Sequence, residues 1–185
     1  MPSGCTLKFG FFLMTVLCDS EIADLCIRGM VTPFDRSMIN PASLDLRLGD
    51  RIMIESAQSS AMITIDLRSM GACEAEPYLL VPGQFILAET VEVFNLPHMV
   101  AGQFMLKSSR AREGLQHLLA GWVDPGFNGR LTLELKNIRQ LHPISLWPGM
   151  RIGQMKFQWM SKRPAAGYEL TGRYNGDMTV TASKG

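Results

Sequence analysis

The chain has 185 residues, 46% of them hydrophobic and 19% charged, with a formal net charge of +1. That is enough apolar material to bury a full core in one domain, and the composition is not that of a disordered chain. A balance so near zero argues against a surface for long nucleic acid, which needs a clear basic excess, so any phosphate contacts should be local.

In chain order, Lys8 precedes the apolar run GFFLMTVLC. The run is too short to span a bilayer, and no small-residue cleavage pattern follows it. Residues 1–13 therefore read as an extension with little structural role, Met14 as an alternative start, and 14–185 as a single domain. Asp19 or Ser20 is placed to cap a helix running to about Gly29, with Glu21 in its first turn and Ile22, Leu25, Cys26 and Met30 at helical spacing. Beyond it helical periodicity nearly vanishes. Short β-rich segments at 44–54, 62–67, 78–93, 99–107, 115–123, 130–138 and 150–160 alternate with Gly, Pro and Asn turns, which predicts an all-β sandwich or barrel with one short N-terminal helix. Cys5, Cys18, Cys26 and Cys73 form no C-x-x-C pair, and His98, His117 and His142 are equally scattered, so no zinc-site spacing is present. A core of this size does not need disulfides, and reduced thiols in the cytoplasm are expected.

The chemistry concentrates between Lys107 and Leu135. Ser108 and Ser109 precede Arg110-Ala-Arg112-Glu-Gly114, a segment short enough for one or two helical turns. Hydroxyls, backbone N–H groups and a guanidinium would make an anion cradle there, although a helix cap followed by a solvated charged turn fits the same residues. Asp124-Pro-Gly-Phe127-Asn-Gly129 is a tight turn that reads equally as a plain hairpin loop; Phe127 could stack on a sugar or base and Asp124 could bind a hydroxyl. Glu134 is the one acid in the alternating strand that follows. On a surface face it would be ordinary; buried, it would carry a raised pKa and exchange protons near neutrality. His117 reads as a packing residue. Asn40-Pro-Ala-Ser-Leu-Asp45-Leu-Arg47 is either a plain strand with polar residues outward or a support for the site or a subunit contact through a salt bridge.

These stretches, taken in order, resemble the dCTP deaminases, which share the trimeric dUTPase fold. VLCDSEIADLCIRG is similar to the family's amino-terminal helix, INPASLDLRLGD to its early strand motif, and LVPGQFILAETVEVFNLP to the strand entering the core. KSSRAR followed by AGWVDPGFNGRLTLELKN resembles the active-site block, and LWPGMRIGQMKF the strand after it. The resemblance implies a homotrimer of distorted jelly-roll, dUTPase-like β-barrel subunits, with each site at a subunit interface. It implies that Glu134 is the general acid and base for water attacking C4 of cytosine, that Ser108 and the Ala120 carbonyl position that water, and that Arg112 supports the site. Lys107 and Ser109 would bind phosphate or shape the site, main-chain groups from Ala120 through Trp122 and Val123 would read the base, Asp124 would meet the 3′-hydroxyl, and Phe127 would pack beneath deoxyribose. Tyr168, Arg173 and Asp177 belong to a closing tail at about 168–185. Magnesium would accompany the triphosphate, and no zinc or membrane is implied.

The expected reaction is dCTP to dUTP plus ammonia; the alternatives are a bifunctional enzyme forming dUMP, a dUTP diphosphatase, or an idle deoxynucleotide-binding regulator. Three departures from the family pattern stand out. The stretch from Gly114 to Asp124 is one residue shorter than in the bacterial deaminases and lacks the threonine that usually precedes the alanine matched by Ala120. Arg110 and Glu113 replace apolar residues. Asp177 stands where glutamine is usual, and its charge would oppose a triphosphate unless screened or turned outward.

Overall fold

The computed structural model describes residues 15–185, so the extension proposed for 1–13 and the alternative start at Met14 lie outside the described residues. Helix α1 (Asp19–Ile27) opens the domain. Its N-cap is Cys18, one residue before the expected one, because Glu21 reaches back to accept the Cys18 backbone N–H at 3.0 Å. Gly29, at φ +91°, closes it as anticipated. Ile22, Ala23 and Cys26 face the core.

The strands are β1 (Val31–Thr32), β2 (Ile39–Asn40), β3 (Ser43–Ile54), β4 (Ile63–Asp66), β5 (Tyr78–Leu80), β6 (Phe85–Asn95), β7 (Val100–Leu106), β8 (Leu115–Gln116), β9 (Trp122–Val123), β10 (Asn128–Asn137), β11 (Ile144–Leu146) and β12 (Arg151–Trp159). Two short helices, α2 (Ser108–Arg112) and α3 (Tyr168–Thr171), complete the set. Every strand pair is antiparallel, and the main sheet runs β8-β10-β6-β3-β12-β7-β9.

This sheet curls because β3 serves two partners in succession. Its Leu44–Arg47 half pairs with β12, and its Leu48–Ile54 half pairs with β6, with register shifts at the changeover. A strand that changes sheets through bulges makes the corner of a two-layer β-structure. Gly49 sits at that corner, where a Cβ would fall 2.5 Å from Glu89 Cγ. Leu44, Leu46, Leu48, Ile52, Ile86, Phe94, Leu135 and Phe157 fill the space between the layers. The all-β expectation with one N-terminal helix therefore holds, as does the distorted jelly roll.

Two expected strands are each divided. The 78–93 segment breaks at the Pro82-Gly83 turn, where Gly83 adopts φ +77° and Gln84 N donates to Val81 O at 3.1 Å. The 115–123 segment breaks because Leu118 and Leu119 adopt φ +53° and +62°, which ends extended backbone. No helix among the described residues is long and apolar enough to cross a membrane.

Candidate active site

A cleft of about 460 Å3 lies where the β9 edge, the turn after it, β10 and the C-terminal tail converge. The turn is set by sequence: Pro125 and Gly126 (φ +85°) reverse the chain, and Phe127 N donates to Asp124 O at 3.2 Å. This places the backbone of Ala120–Asp124 along one wall, with Phe127 below it. Phe127 is only 5% exposed and is braced by Tyr168, whose ring centroid lies 5.7 Å away; Tyr168 N also donates to Pro125 O at 3.0 Å. One Asp124 oxygen accepts the Trp122 indole N–H at 2.8 Å, which fixes the carboxylate and leaves its other oxygen for a ligand hydroxyl.

Glu134 stands opposite Leu87 of β6 and lines the cleft together with Phe85, Leu87 and Leu133. Burial among these apolar groups pushes its carboxyl above the ordinary glutamate range, and a backbone hydrogen bond offsets only part of that. It is a half-buried carboxylate with a raised pKa, not a solvated face residue. A register shift between Arg130 and Thr132 lets successive residues of β10 reach the same cleft, a common use of a bulge beside a site.

Of the residues expected at the site, Ala120, Trp122, Val123, Asp124, Phe127, Glu134, Tyr168 and Asp177 line this cleft. Lys107, Ser108, Ser109, Arg112 and Arg173 do not line it within one chain. The strand geometry explains the separation. Phe104 N donates to Gly121 O at 2.7 Å, so the Ala120–Asp124 wall abuts β7 at Phe104, and Ser108 lies four residues, about 13 Å, further along the chain. At its other end the α2 segment meets Ile138, the residue after β10, whose N–H donates to Gly114 O at 2.9 Å, beyond Glu134. Ser108 and Ser109 lie inside α2 and do not cap it. Lys107 is committed elsewhere: its ammonium holds both oxygens of Asp45 at 2.7 Å, and Asp45, 2% exposed, also accepts from Asn40 at 2.8 Å. Lys107 thus shapes the α2 segment and is not a free phosphate cation, and Asp45 is a support, not an outward strand residue.

The departures acquire physical form. Arg110 and Glu113 pair at 2.7 Å, with the guanidinium over the Trp147 ring at 6.0 Å, so the two added charges cancel locally. The loop between Gly114 and Asp124 turns through the left-handed Leu118–Leu119 pair. His117 packs edge-on against Phe104 at 5.5 Å, and burial lowers its pKa. Sequence reasoning missed Met62, Phe85, Leu87, Phe104 and Leu131 as cleft residues, because apolar side chains on strands carry no mark separating a pocket wall from a core. Tyr174 and Thr181 were within reach, since both stand in the tail motif.

A curled antiparallel double layer with a cleft against an Asp-Pro-Gly turn is the dUTPase-like fold. In structure the chain is similar to a 2′-deoxycytidine 5′-triphosphate deaminase from Agrobacterium tumefaciens, with a TM-score of 0.64 at 22% identity, covering 79% of this chain and 48% of that longer one. Residues 16–160 match the family model described as dCTP deaminase-like. Proteins named "dCTP deaminase, dUMP-forming" from Corynebacterium efficiens and Rhodococcus erythropolis are 39% and 40% identical, over 84% and 83% of this chain and 85% and 86% of their own lengths. The chain belongs to the dCTP deaminase-like family of enzymes.

Proposed function

We propose that the protein converts dCTP and two waters to dUMP, pyrophosphate and ammonia. The dUMP product replaces the dUTP expected first from sequence and follows the alternative, since the similar proteins carry the dUMP-forming name. The observation that carries the deaminase reading is Glu134, a half-buried carboxyl with a raised pKa in a cleft walled by the Ala120–Asp124 backbone and floored by Phe127. In this reading the ionised Glu134 takes a proton from the water attacking C4, then delivers protons to N3 and to the departing amine. The Ala120 carbonyl orients that water. Asp124 receives the 3′-hydroxyl, and Phe127 lies under the deoxyribose, where a 2′-hydroxyl would collide with its ring.

Ser108, Ser109 and Arg112 join this cleft from a neighbouring subunit of a homotrimer. Their separation from Glu134 within one chain supports that arrangement. Magnesium arrives with the triphosphate, bound through phosphate oxygens and water. The cytoplasm, where deoxynucleotides are handled, is the proposed location.

Separating products after incubation with dCTP and with dUTP tests this. dUMP from both supports the bifunctional reading. Accumulating dUTP returns the simple deaminase, and dUMP from dUTP alone makes the protein a diphosphatase. Binding without turnover makes it a regulator.

A further inference from the structure

The tail folds back onto the start of β10 and forms one wall of the cleft. Arg130 N donates to Asp177 O at 2.7 Å, Gly176 N to Asn128 O at 2.7 Å, and Thr181 N to the Thr132 hydroxyl at 3.2 Å. Glu89, 5% exposed, accepts both the Thr179 hydroxyl and Val180 N at 2.9 Å. Gly129, at φ +137°, permits the approach, because a Cβ there would lie 2.6 Å from Asp177 O. Asp177 is thereby fixed in the cleft lining, and both its oxygens are held by Lys184 Nζ, at 2.7 and 2.8 Å. Lys184 also donates to Arg173 O at 3.0 Å and sits 5.3 Å from the Tyr174 ring centre, and the Thr181 hydroxyl completes the clasp on Asp177 at 3.0 Å.

The charge balance gives this clasp a consequence. Among the described residues of one chain lining the cleft, Asp124, Glu134 and Asp177 face a single cation, Arg130; Arg112 of the neighbouring subunit in the proposed trimer makes two cations against three carboxylates. The Arg130 guanidinium is itself occupied by the carbonyls of Thr90 and Val91, each at 2.6 Å. A polyphosphate would meet a wall with excess negative charge unless Asp177 were neutralised. We propose that Lys184 is a specificity-determining positioning residue: by pairing with Asp177 it cancels the carboxylate the tail brings to the cleft and lets the site accept a triphosphate. Asp177 is then neither turned outward nor left to magnesium alone. The inference rests on the nucleotide reading above.

The test uses the full chain carrying Glu134→Gln, which removes deamination, and measures Kd for dCTP, dCDP and dCMP by calorimetry with magnesium present, the recovered nucleotide being checked for lost phosphate. Adding Lys184→Met should weaken dCTP about tenfold, with smaller losses for dCDP and least for dCMP, because the repulsion grows with phosphate charge. Adding Asp177→Asn to Lys184→Met should restore dCTP affinity, and Lys184→Arg should retain it. An equal loss for all three nucleotides, no loss, or no rescue by Asp177→Asn overturns the proposal. A wild-type protein that binds these nucleotides but deaminates none refutes the enzymatic reading instead, and the Kd series still decides the role of Lys184.

Discussion

Glu134 was visible in the sequence as the one acid in an apolar strand, and what the sequence left open was whether that face is buried. The three-dimensional answer is Leu87 across the ladder with Phe85 and Leu133 beside it. Two outcomes follow. Glu134→Gln should reduce ammonia release from dCTP by about 10³-fold or more, the upper part of what a positioned acid–base group supplies. The same variant should melt at a higher temperature than wild type at pH 7. Because the folded carboxyl holds its proton more tightly than the unfolded one, the stability linked to it is full below the unfolded pKa and is lost as pH rises through the folded pKa. The advantage of glutamine should therefore fade as melting is repeated at about pH 4, near the ordinary carboxyl value. In the active enzyme the acid limb of kcat/KM against pH should lie above that value. A limb at the ordinary glutamate pKa would remove the burial argument.

At the scale of elements, the long strands and the turns with Pro-Gly chemistry were legible, and the 115–123 segment was not. Leucines rarely adopt left-handed backbone, so Leu118 and Leu119 gave no warning that a loop lies there. The conformation is imposed by what flanks it: β8 is pinned to β10, and Gly121 O is pinned to Phe104 N, over a short span. Leu119 is 84% exposed, so little burial is lost on truncating it. Leu119→Gly should leave urea stability within about 1 kcal/mol of wild type, since relief of left-handed strain offsets the added freedom of the unfolded chain. Leu135→Ala, in the core, should cost about 3 kcal/mol. A large loss for Leu119→Gly would mean that the side chain is covered in the assembled protein.

For the whole molecule, the sequence placed all the site motifs in order along the chain, but linear order does not say which of them meet. KSSRAR lies at α2 and Glu134 on β10, and only the folded arrangement reveals the gap between them. If subunits complete each other's sites, Arg112→Ala and Glu134→Gln proteins, each nearly inactive, should regain activity when unfolded together and refolded. About a quarter of the sites in random trimers would then combine two intact halves. No recovery above the sum of the separate proteins would place both halves in one subunit.

The most direct test is to measure ammonia and pyrophosphate released in one reaction with dCTP as the sole nucleotide. Equal amounts of the two, with dUMP as the nucleotide product, are predicted. Ammonia without pyrophosphate, leaving dUTP, or pyrophosphate without ammonia, leaving dCMP, would contradict a single cleft that carries both hydrolyses.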